Sequence, residues 1–153
     1  VGVSNHTPSQ VRALQAHLPF PLATVQPEFS CWRHDALRDG VLDQCLEAQM
    51  TPLAWSPLGG GVIGLDGEEA RRRPRGEQLS NMLAVLDRIA DEQGVGRAAV
   101  ALAWTMVHPS GVIPILGTQN VDRIRQCAEA TRVELTRAQW NEILVAAQGE
   151  PLP

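Results

Sequence analysis

The chain has 153 residues, 44 % of them hydrophobic and 20 % charged, with a formal net charge of −4. That length supports one ordinary core but falls short of the roughly 200 residues that a closed eight-stranded (β/α) barrel needs. The acidic balance argues against nucleic acid or an anionic membrane surface as the main partner, and the absence of tyrosine and lysine removes both from any chemistry of this chain.

In chain order, Val1–Ser4 reads as the tail of a strand. Thr7 stands where an N-cap belongs, Pro8 takes the first helical position, and Gln10 completes a capping box, with Val11, Leu14 and Leu18 on one face. Leu22–Gln26 is a second strand, and Asp35 is placed to cap a helix with Leu37, Val41, Leu42, Cys45 and Leu46 along its apolar face, interrupted by Gly40. Pro52–Ser56 is a third strand, after which Leu58-Gly59-Gly60-Gly61 opens a long polar loop to Gln78. A helix with Leu79, Met82, Leu83, Leu86, Ile89 and Ala90 on one side stops at Gly94 and Gly96, and a more apolar helix covers Ala98–Val107. Val112–Leu116 is the last strand, followed by a helix capped by Asn120 and running from Val121 to Ala130. Thr136 and Gln139 form a capping box for a terminal helix with Trp140, Ile143, Leu144 and Ala147 turned inward. Strands alternating with helices predict an α/β fold with a parallel sheet, in a single domain over residues 1–153.

Cys31, Cys45 and Cys127 are odd in number and far apart, which fits neither a disulfide framework nor a zinc site, so reduced thiols and a cytoplasmic location are expected. No apolar run is long enough for a membrane span, and the first residues carry no charged leader ahead of an apolar stretch. Arg71-Arg72-Arg73-Pro74-Arg75 lies between Glu68, Glu69 and Glu77 and reads as a solvated loop. His17 and His108 fall near helix ends, where a cation is mildly favoured. His34 lies in a loop, and His6, just past a strand end, is the histidine best placed to face a site. No nucleophile elbow, HExxH, Walker A or GxGxxG motif is present.

What remains is a set of polar residues and glycines just past strand ends: Ser4-Asn5, Gln26, Ser56–Gly61 and Gly117–Asn120. In a parallel α/β sheet these positions collect on one rim, where ligands bind. Gly59–Gly61 lets backbone amides approach an anion, and Gly117-Thr118 ahead of the helix at Val121 offers N–H groups and a positive dipole end, with Arg123 and Arg125 as counter-charges. Ser4, Asn5 and Gln26 suit a neutral carboxamide, and Trp55 offers a flat face for stacking. Taken singly, the glycines read equally as a turn and Trp55 as core.

Taken together and in order, Gly2-Val3-Ser4-Asn5, Val25-Gln26, Trp55-Ser56-Pro57-Leu58-Gly59 and Ile113-Pro114 through Gly117-Thr118 resemble the ends of strands five to eight of the aldo-keto reductases. These are NADPH-dependent oxidoreductases built on a (β/α)8 barrel, and the helix after Leu135-Thr136 resembles that family's ending. The resemblance implies a parallel half-barrel equivalent to strands five to eight of a TIM barrel, with its terminal helices. It implies that Ser4, Asn5 and Gln26 bond the nicotinamide carboxamide and that Trp55 stacks on the ring where the family usually has tyrosine. Ser56, Leu58 and Gly59 would contact the pyrophosphate, Gly117, Thr118, Gln119 and Arg123 the adenosine end, and Gln126 the adenine edge.

Val25 stands where the family commonly has Asn, Gln119 where an Arg often grips the 2′-phosphate, and Cys127 where an Asn often meets the adenine. The implied cofactor is therefore NADP, with NAD as the alternative. The family's catalytic Asp, Tyr, Lys and His come from its first four strands, so the resemblance implies no catalytic residue in this chain and no activity when it is alone. In a complete protein it would serve NAD(P)H-dependent reduction of a small aldehyde or ketone. Open sheet edges imply that the missing half or a second copy pairs with it. The alternative expectation is a non-catalytic dinucleotide- or phosphate-binding module that pairs with another chain.

Overall fold

The computed structural model describes residues 1–151; residues 152 and 153, which close the expected domain, lie outside them. Four strands, β1 (Gly2–Ser4), β2 (Thr24–Gln26), β3 (Thr51–Ala54) and β4 (Ile113–Pro114), lie side by side in chain order and are parallel throughout. Val3 pairs with Val25, Val25 with Pro52, and Leu53 with Ile113. The strands are shorter than the apolar stretches that contain them. β4 stops at Pro114, which has no N–H to give the ladder and is tolerated because β4 is an edge.

Side chains alternate across this sheet. Val25, Pro52, Ala54 and Val112 are buried on the face that the helices cover. Thr24, Gln26, Leu53 and Trp55, on the other face, are only half-buried, and Ile113 and Ile115 are exposed. One face closed by helices and the other left open is the half-barrel arrangement.

Helices α1 (Pro8–Gln15) and α2 (Val41–Ala48) cover β1 and β2 through Val11, Val41 and Cys45, which pack with Leu22, Val25 and Met50. The buried Gln44 ties them together by donating Nε2–H to the Pro8 carbonyl at 2.9 Å. The rest of the chain adds α3 (Gly67–Arg71), α4 (Gly76–Gln93), α5 (Arg97–Met106), α6 (Val121–Ala128) and α7 (Arg137–Gln148). Leu79, Met82, Leu83, Leu86 and Ile89 recur every three or four residues, so one face of α4 is buried against α5 and α7. Full burial of each such side chain contributes about 1.5–3 kcal/mol. α5 is buried all round from Ala99 to Thr105 because it lies between the sheet and the outer helices.

Trp104 on α5 and Trp140 on α7 stack with ring centroids 4.8 Å apart and planes 3° from parallel. Each indole N–H donates to the other residue's backbone carbonyl at 3.0 Å. The capping boxes at Thr7/Gln10 and Thr136/Gln139 form as expected.

Two expectations are corrected. The helix expected from Asp35 is broken: Asp35–Leu37 makes one 3-10 turn, Gly40 takes φ +83, and α2 starts at Val41, whose N–H is capped by Asp39 Oδ1 at 2.9 Å. Leu46, placed on the apolar face by periodicity, is 47 % exposed. The long loop expected as far as Gln78 is mostly folded, with a 3-10 segment Gly59–Gly64, then α3, then α4 from Gly76. The overlooked signal is Asp66-Gly67-Glu68-Glu69, a capping box in which Asp66 accepts from the N–H of Glu68 and Glu69.

Candidate functional site

The carboxyl ends of the strands gather Ser4, Asn5, Gln26 and Trp55. The Gln26 carbonyl accepts from the Asn5 backbone N–H at 3.1 Å and from Ser4 Oγ at 3.2 Å. Asn5 and Ser56, just past β1 and β3, adopt the left-handed conformation with φ 55° and 48°. Such residues turn the chain sharply at a strand end and are enriched at functional sites. The indole N–H of Trp55 donates to Asn5 Oδ1 at 2.9 Å.

Beside this group opens a cleft of about 1090 Å³. Of the residues singled out in the sequence, Trp55, Ser56, Leu58, Gly117, Thr118, Arg123 and Gln126 line it, together with Cys127. Ser4, Asn5, Gln26, Gly59 and Gln119 do not, although the first three are joined to its edge through Trp55 and Gln26. Gly60 and Gly61 take the place expected of Gly59 in the lining. Both have positive φ, 67° and 96°, and open space where a Cβ would stand, so the backbone there can be approached closely, although the Gly61 N–H already donates to the Leu58 carbonyl at 3.1 Å.

At the other end of the cleft the expected free amides of α6 are in use. Asn120 Oδ1 accepts from the N–H of Asp122 and Arg123 at 3.0 and 3.1 Å, and the Asn120 N–H donates to Thr118 Oγ1 at 3.2 Å. A short polar side chain at the N-cap satisfies these donors as a ligand would. Arg125, expected as a counter-charge, pairs with Asp122 at 3.2 Å. Arg123 forms no ion pair among the described residues and is the cation left for an anion in the cleft.

Asp66, Asp87 and Arg97, which lie away from the strand ends in sequence and so are not singled out there, also line the cleft. Arg97 is 24 % exposed at the side chain and pairs with Asp87 through both Nε and Nη2, at 2.5 and 2.6 Å. Its Nη1 donates to the carbonyls of Ile63 and Leu65 at 3.0 and 2.7 Å, fastening the glycine-rich segment to α4 and α5. The sequence carried a signal: an arginine opening a helix opposes the helix dipole and needs a compensating partner.

His6 stays on the rim, with Nδ1 2.9 Å from the Ser4 carbonyl, and does not line the cleft. His108, expected to gain as a cation at a helix end, is shifted the other way, because burial lowers its pKa below the ordinary value. Burial lowers His34 as well, outweighing its contact with the Cys31 carbonyl and the nearby Asp35. Burial pushes the Cys31 thiol up to about 12 and Cys45 to about 11, and it raises Cys127. No helix among the described residues is long and apolar enough to cross a membrane.

Residues 1–147 match the model of the aldo/keto reductase family. A 6-dehydroglucose reductase of Novosphingobium aromaticivorans is 43 % identical over 153 residues, covering 100 % of this chain and 48 % of its own length. An Escherichia coli oxidoreductase, YdhF, is 40 % identical over 153 residues, covering 99 % and 48 % respectively. The chain thus spans about half the length of these curated relatives. Among solved structures, a thermostable aldo-keto reductase in complex with the inhibitor epalrestat superposes with a TM-score of 0.76 at 24 % identity, over 95 % of this chain and 47 % of that one. The aldose reductase of Giardia lamblia gives 0.75 at 24 % identity, over 99 % and 46 %. An open parallel sheet with helices on one face, matching about half of these barrels, joins a family match over nearly the whole sequence: the chain belongs to the aldo/keto reductase family.

Proposed function

We propose that this chain is the cofactor-binding half of an aldo-keto reductase and that its cleft holds NADP(H). The observation that carries this reading is a single cleft bordered at one end by the bonded group Ser4, Asn5, Gln26 and Trp55, and at the other by the unpaired guanidinium of Arg123. A dinucleotide fits that arrangement: a flat amide-bearing ring at the tryptophan, phosphates over the side-chain-free backbone of Gly60 and Gly61, and adenosine beside Thr118, Arg123 and Gln126. When bound, the cofactor supplies a hydride to an aldehyde or ketone carbon. Ser4, Asn5 and Gln26 orient the carboxamide, and Trp55 covers one ring face. Arg123 takes the 2′-phosphate in place of the arginine that Gln119 lacks, which favours NADP over NAD.

The proton that must reach the carbonyl oxygen comes from the other half of the barrel, since this chain has no tyrosine or lysine. Its tryptophan fluorescence should therefore fall on titration with NADPH and much less with NADH, while carbonyl-dependent NADPH oxidation by the chain alone stays at background. Turnover by the isolated chain, or no fluorescence response to either nucleotide, refutes this reading.

The open sheet favours one further reading. β1 and β4 are unpaired edges, and Val1, Ile113 and Ile115 are exposed beside them, so a non-catalytic nucleotide-binding module that pairs with another chain would present the same surface. Binding of NADPH without any gain of reductase activity on addition of a complementary amino-terminal half-barrel would support it over the enzyme.

A further inference from the structure

Asn5 and Trp55 directly follow β1 and β3, strands that are not neighbours, because the order β1-β2-β3-β4 puts β2 between them. Their side chains nevertheless meet, with the indole Nε1–H donating to Asn5 Oδ1 at 2.9 Å, so the bond arches over the end of β2 at Gln26. An indole N–H can only donate, and a carboxamide accepts only through its oxygen, so this contact decides which way the Asn5 amide faces. Oδ1 is turned to Trp55. Nδ2, with two N–H groups, has no acceptor among the described residues and stands at the rim. The Asn5 backbone is itself held at φ 55° and bonded to the Gln26 carbonyl, so the side chain leaves from a fixed point and the Trp55 N–H is what sets the facing of its amide.

We propose that Trp55 is a positioning residue as well as a stacking surface: its N–H locks the Asn5 amide so that the site presents a donor, and so reads the carbonyl oxygen of a planar ring amide lying on the indole. The inference rests on the cofactor reading above and deepens it. A tyrosine or phenylalanine at position 55 keeps a flat face but has no ring N–H to hold the amide, so stacking and orientation separate by substitution.

The chain has four tryptophans, and 15N labelling gives each its own indole N–H signal; those of Trp104 and Trp140, bonded to each other's backbone carbonyls, report whether a variant is folded. In Asn5→Ala the Trp55 signal should shift and exchange faster with water while the other two hold. NADPH and 2′,5′-ADP, which lacks the nicotinamide, are then titrated into the wild type, Trp55→Phe, Asn5→Ala and the double variant. Trp55→Phe should weaken NADPH about fivefold, leave 2′,5′-ADP unchanged, and cost nothing further when Asn5 is already alanine. An unmoved Trp55 signal in Asn5→Ala, or losses that add in the double variant while 2′,5′-ADP binds normally, overturns the proposal alone. Failure of both nucleotides to bind the folded wild type overturns the cofactor reading and this proposal with it.

Discussion

Two arginines border the cleft with different partners: Arg97 has its guanidinium spent on Asp87 and two carbonyls, and Arg123 has no ion pair among the described residues. Arg123→Gln should therefore lower affinity for NADPH about tenfold with little effect on NADH, read by fluorescence titration. Gly76 is fixed by sterics, since a Cβ there would stand 2.2 Å from the Arg71 carbonyl oxygen, which is backbone and cannot swing away. Gly76→Ala should cost about 1–3 kcal/mol, measured as a drop in the denaturation midpoint. For His34 and His108 the folded-state pKa lies below the ordinary 6.5, so between the two values the unfolded chain binds more protons than the folded one. Stability is full above 6.5 and falls as pH drops through the folded-state values. The thermal midpoint should decline on acidification from about pH 7.5 to about pH 5, and less so in a His34→Gln, His108→Gln double variant. At this scale Trp55, Ser56 and Arg123 were legible because glycines and polar groups following strands announce a rim. Arg97 was not, because its partners Asp87, Ile63 and Leu65 lie 10 to 34 residues away and only folding joins them.

Among the elements, α4 was the plainest in the sequence, its apolar residues recurring at helical spacing up to a glycine stop, and Gly94 does end it at φ 65°. The segment before it has the look of a loop in the sequence because five residues of α3 are too few to show a period and the arginine run masks the capping box at Asp66. α2 is shorter than its apolar spacing predicts because periodicity carries no information on a glycine's φ, and Gly40 at +83° resets the helix. The glycine-rich segment Gly59–Gly64 packs on the core through Ile63 and Val62, and its polar tie to α5 is the Arg97 side chain. Arg97→Gln should accordingly speed amide exchange at Val62–Leu65 several-fold by hydrogen-exchange mass spectrometry and leave α4 protected, whereas equal loosening of both would show that Arg97 supports the whole core.

For the molecule as a whole, the order β1-β2-β3-β4 leaves one open edge at each side, and Ile113, Ile115 and Val1 remain exposed there. The parallel order was legible from the alternation of strands and helices, and so were the edges, since four strands do not close a barrel. The chain alone should associate as its concentration rises in sedimentation velocity, and Ile113→Lys with Ile115→Lys should return it toward monomer. The clasp between Trp104 and Trp140 has a different reach. It joins residues 36 apart, and the stretch it encloses carries β4, Thr118, Arg123 and Gln126. With both ends pinned, that stretch has already met its loop-closure entropy, a cost that grows only as about 1.5RT ln n with loop length. The end of the cleft lined by Thr118, Arg123 and Gln126 is thus fastened at both ends of its stretch and, between them, by Val112, Cys127, Ala130 and Val133 in the core, so it should loosen only together with that core.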